Sequence, residues 1–237
     1  PVHFATRKTA LIFAALVVAG GRGQRREALC EAFWPGRGET QARSSLRQAL
    51  VDIRRSFPAG NGAGIEIESD LDIVALRTEP GEADVRLFEQ TAQGADATGL
   101  VIAADLYRGD LLADEASHEG LDWFAPHQRS YRRIALVLVE RLSEMPGTDG
   151  TAAGERLAER LIAADPAAEE AHRALIRIYR ARGQPNAALR QYMLCKEALR
   201  RELGAEPEAA TRALIENQEE PDHAEQAAPA PPKATAA

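Results

Sequence analysis

The sequence predicts a mainly α-helical chain, with three helices and a β-hairpin at the front and an all-α module behind them. Three observations carry that expectation. Apolar residues recur at helical spacing through residues 8–18, 25–33 and 39–57. Two short alternating runs, IEIE at 65–68 and LDIVAL at 71–76, follow directly. Further on, residues 171–214 hold a long helical pattern that turns at Gly183.

Residues 8–18 are apolar nearly all round, as a central core helix is. Gly20-Gly21-Arg22-Gly23 ends that helix. Arg7-Lys8 before an apolar run imitates a secretory signal peptide. The run is too short to span a bilayer, however, and the helical pattern resumes at once. Residues 25–33 (RREALCEAF) place Ala28, Leu29, Ala32 and Phe33 on one face before Pro35-Gly36 stops them. After the third helix, residues 60–64 form a flexible connection to the hairpin, whose turn falls at Ser69-Asp70. Three helices and a terminal hairpin make a winged helix-turn-helix arrangement, here over residues 1–78.

The third helix, ETQARSSLRQALVDIRRSF at residues 39–57, is the informative one. On a helical wheel Ala42, Leu46, Ala49, Leu50, Ile53 and Phe57 share an arc of about 100°, the width of a core-facing stripe. The opposite side carries Thr40, Ser44, Arg47, Gln48, Val51 and Arg55, flanked by Arg43 and Arg54. This distribution suits a recognition helix. Ser44, Arg47, Gln48, Val51 and Arg55 are candidates for reading base edges, and Arg43 and Arg54 for holding phosphate. Arg25 and Arg26 join the phosphate candidates because free N–H groups at a helix start favour an anion. A plain amphipathic helix with a solvated arginine face is the blander alternative. The position after a helix and tight turn, and before a hairpin, favours recognition.

Charge is divided unevenly along the chain. Residues 1–57 hold ten Lys and Arg against four Asp and Glu, whereas the rest holds 19 against 32, within a net charge of −7. A basic module joined to an acidic one is compatible with nucleic-acid binding, because the local sign decides. The hairpin argues the other way: Glu66, Glu68, Asp70 and Asp72 repel phosphate unless Arg77 compensates.

No catalytic constellation, cofactor motif or metal motif is present. GGRGQRRE lacks the lysine and the strand context of a phosphate loop. His3, His118, His127, His172 and His223 have no zinc-ligand spacing. Cys30 and Cys195 sit among apolar neighbours and read as buried reduced thiols. The acids of residues 113–122 read as an exposed loop, and residues 218–237 as a disordered tail or linker.

Residues 7–57 resemble the DNA-binding half of the bacterial transcriptional activator proteins, the group that includes the Streptomyces antibiotic regulatory proteins. The likeness continues through ADVRLFEQ (83–90), LYRGDLL (106–112), Trp123-Phe124 and the run from 171 to 214. It implies a winged helix followed by an activation domain of tetratricopeptide character, taken as residues 82–217. It also implies a cytoplasmic, non-enzymatic activator on double-stranded DNA at direct repeats, helping RNA polymerase. Dimerisation through the helical domain and absence from membranes belong to the same expectation. One departure is that only residues 1–6 precede the first helix, where the family has an antiparallel sheet, so the chain is a fragment or that sheet is reduced. The loop at residues 35–39, which related regulators turn toward polymerase, is short too.

The repeat pattern supports that second module. Aligning Tyr179 with the first aromatic of a 34-residue helix-turn-helix unit sets Leu175, Gly183, Ala188 and Tyr192 in register. Residues 123–143 read as a longer helix burying Phe124, Tyr131, Ile134, Leu138 and Leu142. Residues 147–154 (GTDGTAAG) read as a loop after the Met145-Pro146-Gly147 break. Tyr107, Trp123, Tyr131, Tyr179 and Tyr192 are expected to pack, not to bind ligand. A protein-interaction or sensory scaffold whose winged helix no longer binds DNA is the alternative function.

Overall fold

The computed structural model describes residues 3–57, 65–78, 83–113, 120–145 and 147–216. The expected connection at 60–64, most of the acidic loop at 113–122, Pro146, and the tail at 218–237 lie outside them.

The front of the molecule has α1 (Arg7–Ala19), β1 (Gln24–Arg25), α2 (Arg26–Phe33), α3 (Glu39–Ser56), β2 (Glu66–Ser69) and β3 (Ile73–Arg77). Thr6 caps α1 by accepting the Thr9 N–H at 3.1 Å, and Gly20 closes it in the left-handed region at φ 62°. Leu11, Ile12 and Leu16 of α1 pack with Leu29 and Phe33 of α2 and with Leu46, Leu50 and Ile53 of α3. The expected hairpin is a three-stranded antiparallel sheet, because Gln24 and Arg25 pair with Val74 and Ile73 on the open side of β3. Two residues cannot show a strand period, so β1 has no signature in the sequence. Phe4 partly fills the space ahead of α1, with its ring 5.1 Å from Phe13 and 6.2 Å from Phe57.

Eight elements follow: α4 (Asp84–Gln93), α5 (Ala97–Leu106), a 3-10 turn (Leu121–Phe124), α6 (Ala125–Glu144), α7 (Thr148–Ala164), α8 (Glu169–Ala181), α9 (Pro185–Leu203) and α10 (Ala209–Glu216). They stack as antiparallel pairs, with α4 on α5, α6 on α7 and α8 on α9. Gly183 makes the turn between α8 and α9 at φ 68°, and Ala188 is fully buried, as the repeat register predicts. Tyr107 and Tyr131 are core residues, whereas Trp123, Tyr179 and Tyr192 are half-buried. In α6 the buried face runs through Tyr131, Ala135, Leu138, Val139 and Leu142, and Ile134 sits at its margin.

Residues 147–154 are corrected by the structure: 148–154 form the first two turns of α7. Glycines there serve close packing. A Cβ on Gly154 would stand 3.1 Å from the Cβ of Leu142 in α6, so the small residues that look like loop formers let the two helices approach.

The two halves share a core. Phe124, the last residue of the 3-10 turn before α6, is fully buried within the front cluster, its ring edge-on to Phe33 at 6.3 Å. Gly120 admits this approach: it holds φ 92°, and a Cβ there would collide with the Phe33 ring. In the other direction, Val18 of α1 is buried in the helical module's cluster beside Phe88.

Candidate nucleic-acid interface

Helix α3 divides as its wheel predicts. Ala42, Leu46, Ala49, Leu50 and Ile53 are buried, and Phe57 lies half-buried against Phe13 at 5.1 Å between ring centres. On the other side Ser44, Arg47, Gln48 and Arg55 are exposed and Val51 is half-exposed. The helical module packs on α1, by way of α4, and leaves this surface open.

The basic side chains around it differ in how far they are already engaged. Arg47 and Arg25 have no side-chain partner among the described residues. Arg43 pairs with Glu39 one turn away at 2.9 Å, and Arg55 sits 3.8 Å from Asp52. These exposed same-helix pairs are worth a few tenths of a kcal/mol, so a polyanion can displace them. Gln48 donates to Asp52 at 3.0 Å, a bond it must release to meet adenine through both amide atoms.

Arg26 and Arg54 brace the hairpin. Arg26 donates its Nε–H to the Asp70 carbonyl at 2.9 Å, and its backbone N–H bonds the Asp72 carbonyl at 2.8 Å. Arg54 donates to the Ile67 carbonyl at 3.3 Å and to Ser69 Oγ at 2.9 Å. Between α2 and the hairpin, Arg25, Arg26, Glu27 and Arg43 face Leu71, Asp72 and Ile73 across a recess of about 340 Å³ at the α2 N-terminus. The helix dipole and three guanidinium groups there favour an anion, whereas the Glu27 and Asp72 carboxylates oppose one, and Arg26 is already tied to the hairpin.

The wing is unsuited to phosphate. Arg77 is engaged by Glu68 at 3.0 Å and offsets only that carboxylate. Asp70 accepts the N–H groups of Ile73 at 2.7 Å and Asp72 at 2.8 Å, which hold its carboxyl below the usual carboxylate range. Leu71, between two acids at the tip, is 87% exposed.

Reasoning from the sequence missed Asp52 as the tether of Gln48 and Arg55. Its spacing of four from Gln48 and three from Arg55 was the available signal. It also missed Lys8, whose ammonium lies 5.4 Å from the Trp34 ring centre at the edge of the α1–α3 surface. Cys30 and Cys195 are buried free thiols, and burial pushes Cys195 up to about 12, far from reactive. Among the described residues no group of three His, Cys, Asp or Glu is placed to hold a metal, and no helix is long and apolar enough to cross a membrane.

A family model for the bacterial transcriptional activator domain matches residues 71–217, more than half of the chain. The chain belongs to that family, a class of transcription regulators. The solved structure of Mycobacterium tuberculosis EmbR, in complex with a low affinity phosphopeptide, is similar in fold at a TM-score of 0.67 and 23% sequence identity. That likeness covers 93% of this chain and 62% of the EmbR chain, so this chain spans about three fifths of EmbR's length. No protein with a curated description matches.

Proposed function

We propose that this regulator is a cytoplasmic, non-enzymatic activator that binds promoter DNA through α3. Its winged-helix unit runs to residue 78, and its helical unit, residues 82–217, meets RNA polymerase, a partner or a second copy. The observation that carries this reading is the open face of α3: Arg47 unpaired and exposed, with Ser44, Gln48, Val51 and Arg55 around it, opposite the buried Ala42, Leu46, Ala49, Leu50 and Ile53. Inserted in the major groove, Arg47 meets guanine N7 and O6, Gln48 meets adenine, and the Val51 methyls meet the thymine methyl. Arg25 and Arg43 take phosphates at the recess by the α2 N-terminus, while Arg26 and Arg54 hold the wing and offer phosphate their remaining N–H groups. The acidic wing stays off the backbone. Family resemblance adds the expectation of directly repeated half-sites.

Mobility shifts on a promoter fragment and on random DNA, at two salt concentrations, test this. Arg47→Ala costs about 1–3 kcal/mol on the specific site and little on random DNA. Arg43→Ala weakens both and lowers the salt slope by about one unit. Equal binding by wild type and all α3 variants would remove DNA from this face.

A further inference from the structure

We infer that the helical module carries a docking groove for a basic amphipathic helix of a partner protein, between α7 and α9. This inference rests on neither α3 nor DNA.

The groove encloses about 450 Å³. Its floor is α8, with His172, Leu175 and Tyr179, and its walls are α7 and α9. Ile162 from α7 and Leu194 from α9 give it an apolar lining, and Leu194 is 56% exposed at its edge. An apolar trough between two helix walls is the shape that accepts a third helix.

Charge decides which helix. Glu159 on one wall and Glu197 on the other have no ion-pair partner among the described residues. Arg201, at one end, is engaged by Glu202 at 2.9 Å. The rim therefore sets two unengaged carboxylates against Arg201, which Glu202 holds, and against Arg190 near Tyr179, since Arg182 is taken up by Glu155. The net charge is negative and matches a segment that presents Lys or Arg beside apolar residues. The chain's own tail is the wrong sign, since residues 218–237 carry Glu219, Glu220, Asp222 and Glu225 against Lys233 alone.

His172 contributes shape and not chemistry. It is 2% exposed, with Nε2 3.0 Å from the Pro166 carbonyl and Nδ1 2.7 Å from Gln191 Nε2. A neutral ring that donates from Nε2 and accepts at Nδ1 satisfies both contacts, leaving no lone pair for a metal or a substrate.

The test is fluorescence anisotropy on the full chain, with no DNA present. The probe is a dye-labelled amphipathic peptide of Leu, Ala and Lys, set against a counterpart with Glu in place of Lys. Saturable binding of the Lys peptide is expected, with the Glu peptide silent. Glu159→Lys combined with Glu197→Lys should weaken binding by about tenfold or more, and Leu194→Asp comparably. Asp149→Lys, a charge reversal at the far end of α7, should leave it unchanged. All these positions are exposed, and circular dichroism checks that each variant is folded. Equal binding of both peptides, equal loss with Asp149→Lys, or no peptide binding while a small apolar dye is taken up in the same groove would each overturn the inference.

Discussion

The open surface around α3 and the helix junctions of the module behind it use arginine in opposite ways. In the front half Arg25, Arg43, Arg47 and Arg55 stand in solvent, tied at most to a neighbour on their own helix. At the helix junctions of the second module four arginines turn toward the protein, although others there, such as Arg156, Arg200 and Arg201, stay at the surface. Arg173, 7% exposed, is held by Glu140 at 2.7 Å, Glu208 at 3.2 Å and Thr211 at 3.2 Å, joining α8 to α6 and α10. Arg141 closes the α4 C-terminus on the Ala92 and Gly94 carbonyls, and Arg160 closes α5 on Ala104 and Tyr107. Arg132 binds Asp110, whose carboxyl stays below the usual range although burial pushes it up, because Arg132 and the Tyr107 hydroxyl both donate to it. The lesson is that arginine content says little about function. What matters is whether acids and orphan helix-end carbonyls lie within reach to absorb the charge.

The largest effect expected is at the joint between the halves. Phe124→Ala should cost about 3–5 kcal/mol of stability, leaving a cavity under Phe33. If the halves depend on the shared core, urea unfolding followed by circular dichroism will show two transitions in the variant against one in wild type. A single unchanged transition would mean that the joint contributes nothing.

Arginine replacements sharpen the contrast next. Arg173→Met fills the volume but leaves Glu140 only its longer pair with Arg177 at 3.6 Å and takes the donor from the buried Thr211 hydroxyl, so it should lower stability by about 1–3 kcal/mol. Arg47→Met should shift stability by no more than about 0.5 kcal/mol, since it touches only solvent. Equal denaturation midpoints for the two would end the distinction.

Gly154→Ala is smaller. Helix propensity favours alanine by about 1 kcal/mol. Leu142 Cβ is fixed next to its own backbone, however, and cannot swing aside, so the net effect should be a loss of about 1 kcal/mol, seen as a lower thermal midpoint.

The smallest effect is in pH. Burial holds His172 below its ordinary value against the opposing pull of the Pro166 carbonyl, so the unfolded chain binds the proton first as pH falls. The stability that the neutral ring contributes is complete above about pH 6.5, the unfolded value, and declines below it. Urea midpoints at pH 7.5 and 5.5 should differ more for wild type than for His172→Gln.

The open side of α3 was legible because a helical period sorts one stretch into two faces wherever the stretch packs. The hairpin strands and the α8–α9 turn at Gly183 were legible for the same local reason. The start of α7 was not, because glycine reads as a loop former until the neighbour it makes room for is known. Nor was the bracing of the wing by Arg26 and Arg54, which depends on partners far along the chain.

By itself, then, the sequence determined the local periods: which residues form helices, which stripe of α3 turns inward, and where basic and acidic segments lie. The tertiary structure alone decided that Phe124 enters the front core past Gly120, that Gln24 and Arg25 add a strand, and which arginines remain in solvent. Periodicity acts between residues a few positions apart, whereas charge pairing and close packing join residues tens of positions apart, and only the folded chain brings those together.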